Sequence, residues 1–248
     1  MNGHGKTPPG AQSKSSLPKR FYKGVAVEEG DGCFALLLDG KPVRTPGKAH
    51  LLLPTQALAE AVAEEWRMQD ERIDPATMPL TKLANSAIDG VPGREQAVID
   101  DILAHAGSDL LCYRADGPEG LVEAQIAQWD PVLAWAKSTL DAPLVPTRGI
   151  VPVAQPQASL DRLKDSLVGR DAFSLAALHL MTALTCSAVL ALAVALGRVT
   201  VEEAWAAAHV DEDWQIRQWG EDAEAAARRA AWERDFAAAG RLLSLLAD

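Results

Sequence analysis

The sequence predicts an α+β protein, with a small antiparallel β-containing N-terminal domain followed by a larger all-helical C-terminal domain. Three observations carry this. Residues 21 to 53 hold short apolar runs separated by Gly-Asp-Gly at 30 to 32 and Asp39-Gly40, the signature of hairpins. Beyond Pro92 the strand signals fade and long alanine- and leucine-rich runs take over. The chain of 248 residues is 48% apolar but only 5% aromatic, which suits a core packed from helices.

In chain order, residues 1–19 read as a disordered basic tail, 20–90 as the β-rich domain and 91–248 as the helical domain. The tail is polar and rich in Gly, Pro and Ser, and it lacks the apolar stretch of a secretory signal. FYKGVAVEE, CFALLL and AHLLL form the meander. Thr55 then caps a helix to about Gln69, with Leu58, Ala59, Val62 and Trp66 along one face, so Trp66 is expected to be a structural anchor. Pro75 and Pro79 interrupt the chain, and TKLANSAIDG makes a short helix ending near Gly90.

Further helices are expected from Arg94 to Ala106, Glu119 to Leu140 with a break at Asp130-Pro131, Ser159 to Val168, Asp171 to Leu196, Val201 to about Ala208 and Asp222 to Leu246. The four prolines of 143–156 make that segment extended, either a linker or a return to the strands. The 26 uncharged residues from Ala172 to Gly197 are long enough for a membrane span. Interrupting Ser174, His179, Thr182, Thr185 and Ser187, and flanks without clustered cations, favour the centre of a helical bundle and no membrane insertion. His179 is then a satisfied core histidine with a structural role.

Charge narrows the partners. The chain carries −10, and because its first twenty residues hold four cations and no acid, the remainder is more acidic still. Such a body repels phosphate backbones, so nucleic acid is excluded and a basic protein surface is favoured. Cys33, Cys112 and Cys186 are far apart and odd in number, which reads as reduced, buried thiols.

Catalytic vocabulary is sparse. There is no phosphate loop, GxSxG elbow or HExxH. Asp211 and Asp213 form a DxD that raises one enzymatic alternative, a metal-dependent enzyme using this acidic cluster, but hard cations need further oxygen ligands that no nearby residues bring. Asp100-Asp101 beside His105 is a similar weak cluster. Ser16-Leu-Pro-Lys19 matches SxxK with no scaffold around it. No cofactor or metal site is expected.

VDEDWQIRQWGEDAE, 210 to 224, is different in kind: six carboxylates, one arginine and two tryptophans. Thr200 and Glu203 form a capping box for the helix before it, and Gly220 followed by Asp222 ends one helix and caps the next. Trp214 and Trp219, five positions apart, stand about 140° apart on a helix and cannot share one narrow face. One ring is expected to anchor the core and the other to lie near the surface beside Glu212, Gln215 and Glu221; both as core anchors is the alternative.

RFYKGVAVEE with LDGKPVRTP, AEEW at 63–66, DPATMPLTKLANSAID at 74–89, SDLLCYRA at 108–115, QWDP at 128–131 and DEDWQIRQWGED at 211–222 together resemble the ATP12 family of F1-ATPase assembly chaperones. The resemblance runs in order from about Arg20 to the C-terminus. It implies a non-enzymatic, monomeric chaperone that binds the unassembled F1-ATPase alpha subunit until it pairs with beta. It places partner-binding residues among Glu212, Asp213, Trp214, Gln215, Trp219 and Glu221. The expected compartment is the bacterial cytoplasm, or the mitochondrial matrix in a eukaryote.

Overall fold

The computed structural model describes residues 17–149 and 153–247. Ser16 of the SxxK match and the greater part of the N-terminal tail fall outside these. Leu17 to Arg20 are tied to the body: Lys19 bridges to Arg72, and the Ile73 amide donates to the Pro18 carbonyl at 2.9 Å.

Strand β1 (Val25–Gly30) pairs antiparallel with β2 (Cys33–Leu38) in the register Val25 to Leu38 and Gly30 to Cys33. The connecting Asp31 and Gly32 both have positive φ, as do Asp39 and Gly40 in the next turn. Asp-Gly is the pair that tolerates such turns, whose twist matches that of the strands they join. Short strands β3 (Lys41–Pro42) and β4 (Leu52–Leu53) both pair with β2. One face, including Leu36, Leu51 and Leu53, is buried against helix α1 (Gln56–Arg67).

Thr55 caps α1 as expected, its hydroxyl oxygen accepting from the Leu58 amide at 3.2 Å, and its O–H donates to the Leu245 carbonyl near the C-terminus. Glu65 of α1 caps helix α2 (Pro79–Gly90). Its carboxylate accepts from the Leu80 and Thr81 amides and the Thr81 hydroxyl at 2.7–2.8 Å. Burial raises the Glu65 pKa, against the lowering pull of those hydrogen bonds.

Helix α3 (Glu95–Gly107), a tight turn at Leu110–Cys112 and strand β5 (Tyr113–Arg114) lead into α4 (Glu119–Thr139). The expected break at Asp130-Pro131 does not occur. Pro131 sits inside a continuous α4, where the buried Trp129, Val132 and Ala136 hold both halves on one core and offset the proline's cost. The proline-rich segment that follows contributes β6 (Thr147–Arg148), parallel to β5 rather than to the N-terminal strands; its residues 150–152 lie outside the described ones.

Helices α5 (Gln157–Asp165), α6 (Ala172–Thr185), α7 (Ala188–Ala195), α8 (Val201–Ala208), α9 (Val210–Trp219) and α10 (Ala223–Leu246) complete the chain. The expected single helix from Asp171 to Leu196 is two. Cys186 turns into the left-handed region (φ 52°), and Ser187 caps α7 by accepting from the Leu190 amide at 3.0 Å. Among the described residues no helix is long and apolar enough to cross a membrane. Both halves are the centre of the helical layer: α6 lies against α2, α3 and α10, and Leu175, Leu178, Met181, Val189, Leu190 and Leu192 are buried. Of the three free cysteines only Cys112 is buried; Cys186 is exposed at the α6–α7 break and Cys33 is half-buried, which corrects the expectation of three buried thiols.

Candidate protein-docking site

The C-terminal third builds a helical hairpin, and each of its parts has a local cause. The capping box forms as expected: the Glu203 amide donates to the Thr200 hydroxyl at 3.1 Å, and the Thr200 amide to the Glu203 carboxylate at 2.8 Å. Asp211, Glu212 and Asp213 occupy the first turn of α9 and Arg217 its last, the arrangement the helix dipole favours. Gly220, at φ 87°, ends α9, and Asp222 accepts from the Ala225 amide at 2.8 Å to start α10. A side chain at 220 would be strained in that conformation.

The two tryptophans separate as their spacing requires. Trp214 is half-buried and its ring lies on α4 at Gly120, where a Cβ would fall 2.6 Å from Cη2 of the indole. The Arg217 guanidinium covers the same ring at 5.6 Å. Trp219, at the end of α9, is 87% exposed. Trp214 is therefore the anchor and Trp219 the surface ring.

The acids separate as well. Asp211 accepts from Gln125 Nε2 at 2.7 Å, and the buried Gln125 uses its other end on the Ala115 amide. Asp213 accepts from Arg229 Nη1 of α10 at 2.6 Å, while Glu212 stands 3.9 Å from both Arg229 Nε and His209 Nε2. Burial opposes the Arg229 charge, but the bond to Asp213 and the charges of Asp213, Glu212 and Glu233 outweigh it, and its pKa is raised. Asp211 and Asp213 thus reach in different directions, to α4 and to α10. Among the described residues no three His, Cys, Asp or Glu side chains gather as a metal would require. Gln215 and Glu221 are exposed, and no described side chain bonds to either.

Beneath the hairpin, Trp129 of the QWDP stretch is fully buried and donates from Nε1 to the Ala207 carbonyl at 2.7 Å, joining α4 to α8. His209 packs its ring on Trp205 (3.9 Å between centroids), and Trp205 packs on Phe236 of α10. Sequence reasoning missed Gly120, Gln125 and Arg229, the three residues that seat the hairpin. All three lie far from the acidic segment in sequence or on a helix whose facing side no periodicity announces.

Two other expectations fall elsewhere. His179 is satisfied but not in the core: its Nε2 lies 2.5 Å from Asp101 of α3, with its side chain 40% exposed at the rim of a groove of about 630 Å³ between α2, α3, α6 and α10. The apolar length of α6 hid this, because one face of a helix at the centre of a layer still meets a surface groove. Asp101 pairs with His179 across helices, not with His105 on its own. Trp66 is half-buried against Tyr22, with ring centroids 5.6 Å apart, as part of a small apolar cluster with Leu38, Ile73 and Met78.

Comparison with known proteins adds the following. Residues 19–137 match the model of the family described as ATP12 chaperone protein. The crystal structure of Atp12 from Paracoccus denitrificans is 44% identical, with a TM-score of 0.86 over 92% of this chain and 98% of that one. A solved structure from Agrobacterium tumefaciens is 49% identical, with a TM-score of 0.89 over 93% of this chain and 87% of that one. The mitochondrial protein atp12 of Schizosaccharomyces pombe is 25% identical over 84% of this chain and 77% of its own length.

Proposed function

The chain belongs to the ATP12 chaperone family, and from that premise we propose that it binds the unassembled F1-ATPase alpha subunit and shields it until the beta subunit takes it over. The observation that supports this best is Trp219: a large indole 87% exposed at the tip of a braced hairpin, with the exposed Glu221 and Asp222 just beyond Gly220. Tryptophan is among the residue types that most often supply the binding energy of an interface. An aromatic anchor within a charged rim is how interfaces divide binding energy from steering.

In this reading Trp219, Gln215 and Glu221 touch the client, while Trp214, Glu212 and Asp213 hold the hairpin that presents them. An isolated alpha subunit exposes surface that its neighbours cover in the assembled ring, and such surface aggregates. The acidic tip matches basic and apolar groups on it. The chain carries no nucleotide-binding motif, so release comes by competition, when beta offers a larger interface. The chaperone acts as a monomer, in the bacterial cytoplasm.

Co-expression with separately tagged alpha and beta subunits tests this. The chain should co-purify with alpha alone, and the added beta should displace it. Trp219→Ala should weaken capture by about 2 kcal/mol, roughly thirtyfold, and Glu221→Lys should slow association and remove part of its salt dependence. Capture of neither subunit, or capture indifferent to Trp219→Ala, would falsify the proposal.

A further inference from the structure

A second cleft lies at the other end of the chain. Phe21, Tyr22, Leu38, Val43 and Trp66 line a slot of about 400 Å³ beside the short strand β3. Phe21, 73% exposed, has no core to serve and forms one wall. Cations outnumber acids on the slot. Lys41 and Arg44 border it and are exposed. Asp39, the one acid among its described lining residues, accepts from the Gly24 and Lys23 amides at 2.7 and 3.1 Å, which hold its carboxylate ionised and in place.

Two donors next to the slot also lack acceptors. Among the described residues only three buried side-chain polar atoms have no hydrogen-bond partner, and two of them are Arg20 Nε and Trp66 Nε1. Both side chains lie against Tyr22: the Arg20 guanidinium 4.7 Å from the ring centre, the Trp66 ring at 5.6 Å. A buried donor without an acceptor costs about 1–3 kcal/mol, and both of these belong to side chains packed on Tyr22, a wall of the slot. Aromatic walls bordered by two exposed cations against one acid, on a chain whose net charge is −10, suit a segment that carries carboxylates beside an apolar side chain.

We propose that this slot is a second protein-docking subsite, which takes an extended segment of a client protein bearing an aromatic or branched apolar residue flanked by Asp or Glu. The client's carboxylates meet Lys41 and Arg44, and its apolar side chain enters between Phe21 and Trp66. The subsite is opposite in charge to the Trp219 tip, so the two surfaces read different chemistry on what they hold. The tip of a second copy of this chain has related chemistry, but such a contact would cover the Trp219 tip.

Titration of the full, isotope-labelled chain with the probe peptide acetyl-Glu-Phe-Glu-Leu-Glu-amide, followed by nuclear magnetic resonance, tests this independently of the alpha-subunit reading. The Trp66 indole N–H and the Phe21 and Lys41 amides should move with the acidic peptide and stay still with its lysine counterpart. Phe21→Ala and the pair Lys41→Glu with Arg44→Glu, all exposed positions, should each weaken binding about tenfold or more with an unchanged circular dichroism spectrum. Trp219→Ala should leave it unaltered. The subsite is overturned if those resonances stay fixed up to about millimolar peptide, if the basic peptide moves them equally, or if the variants bind as the parent does. It is also overturned, in favour of a second copy, if the same resonances shift with the chain's own concentration and Trp219→Ala abolishes that shift.

Discussion

Gly120 and Trp214 meet 94 positions apart in sequence, and the contact is decided by the absence of a single carbon. With Cη2 of the indole 2.6 Å from where a Cβ would stand, any side chain at 120 must push the ring off α4. Gly120→Val should therefore destabilise the α9 seat by about 2 kcal/mol, the usual cost of overpacking a filled site. Trp214→Ala should suppress that effect, because the space is then free. A double-mutant cycle read by urea unfolding, with hydrogen exchange at the α9 amides, measures the coupling; additive effects would refute the contact. This pair also shows what residues tell and what they withhold. The angular separation of Trp214 and Trp219 follows from helix geometry and could be stated from spacing alone. Which ring faces inward depends on a glycine that carries no motif, and only the fold reveals it.

At the scale of elements, α9 is latched to α10 through Arg229, which meets Asp213 at 2.6 Å and Glu212 at 3.9 Å. The Arg229 side chain is largely covered, so removing Asp213 leaves a cation short of its closest partner, at a cost of about 1–3 kcal/mol. Asp213→Ala should loosen α9, seen as faster amide exchange there, and lower client capture without melting the body. Exchanging the charges, Asp213→Arg with Arg229→Asp, separates two roles. If exchange protection and capture both return, the acid works by positioning Trp219. If protection returns and capture does not, the carboxylate itself touches the client.

Element boundaries were legible wherever a cap or turn writes them in adjacent residues: Thr55, the two Asp-Gly turns, Thr200 with Glu203, and Gly220 with Asp222. The α6–α7 break was missed although Ser187 is a good cap, because a run of 172 to 197 without a charge, a proline or an internal glycine reads as one helix and one serine among several polar residues does not mark its end. The continuity of α4 through Pro131 was missed for the opposite reason. A proline's local penalty is visible in sequence, while the burial of Trp129 that offsets it is not.

Across the whole molecule, one carboxylate joins the α3–α4 connection to the centre of the helical layer. Asp109 is fully buried and accepts from the Leu111 amide of its own turn and the Val189 amide of α7, both at 3.1 Å, across the α6–α7 break. Burial pushes its pKa up to about 6, against the lowering effect of hydrogen bonds from Ser187, Val189 and Leu111. The unfolded chain titrates this group near the ordinary value of 3.8, so between about pH 4 and pH 6 the folded state binds the proton more tightly. The stability that this group confers is therefore greatest below the window, falls as pH rises through it, and levels off above about 6. Asp109→Asn keeps the shape, loses one acceptor at every pH and removes the titration. Urea midpoints of the two proteins should diverge as pH is lowered from 7 to 5, the parent gaining about 1 kcal/mol on the variant. Subtracting the variant cancels Glu65, whose raised pKa acts in the same direction, and Asp39, whose backbone bonds lower its pKa and act in the opposite one. A difference that stays constant across the window would mean that Asp109 is ionised throughout, held by its amides as a permanent charge at the centre of the fold.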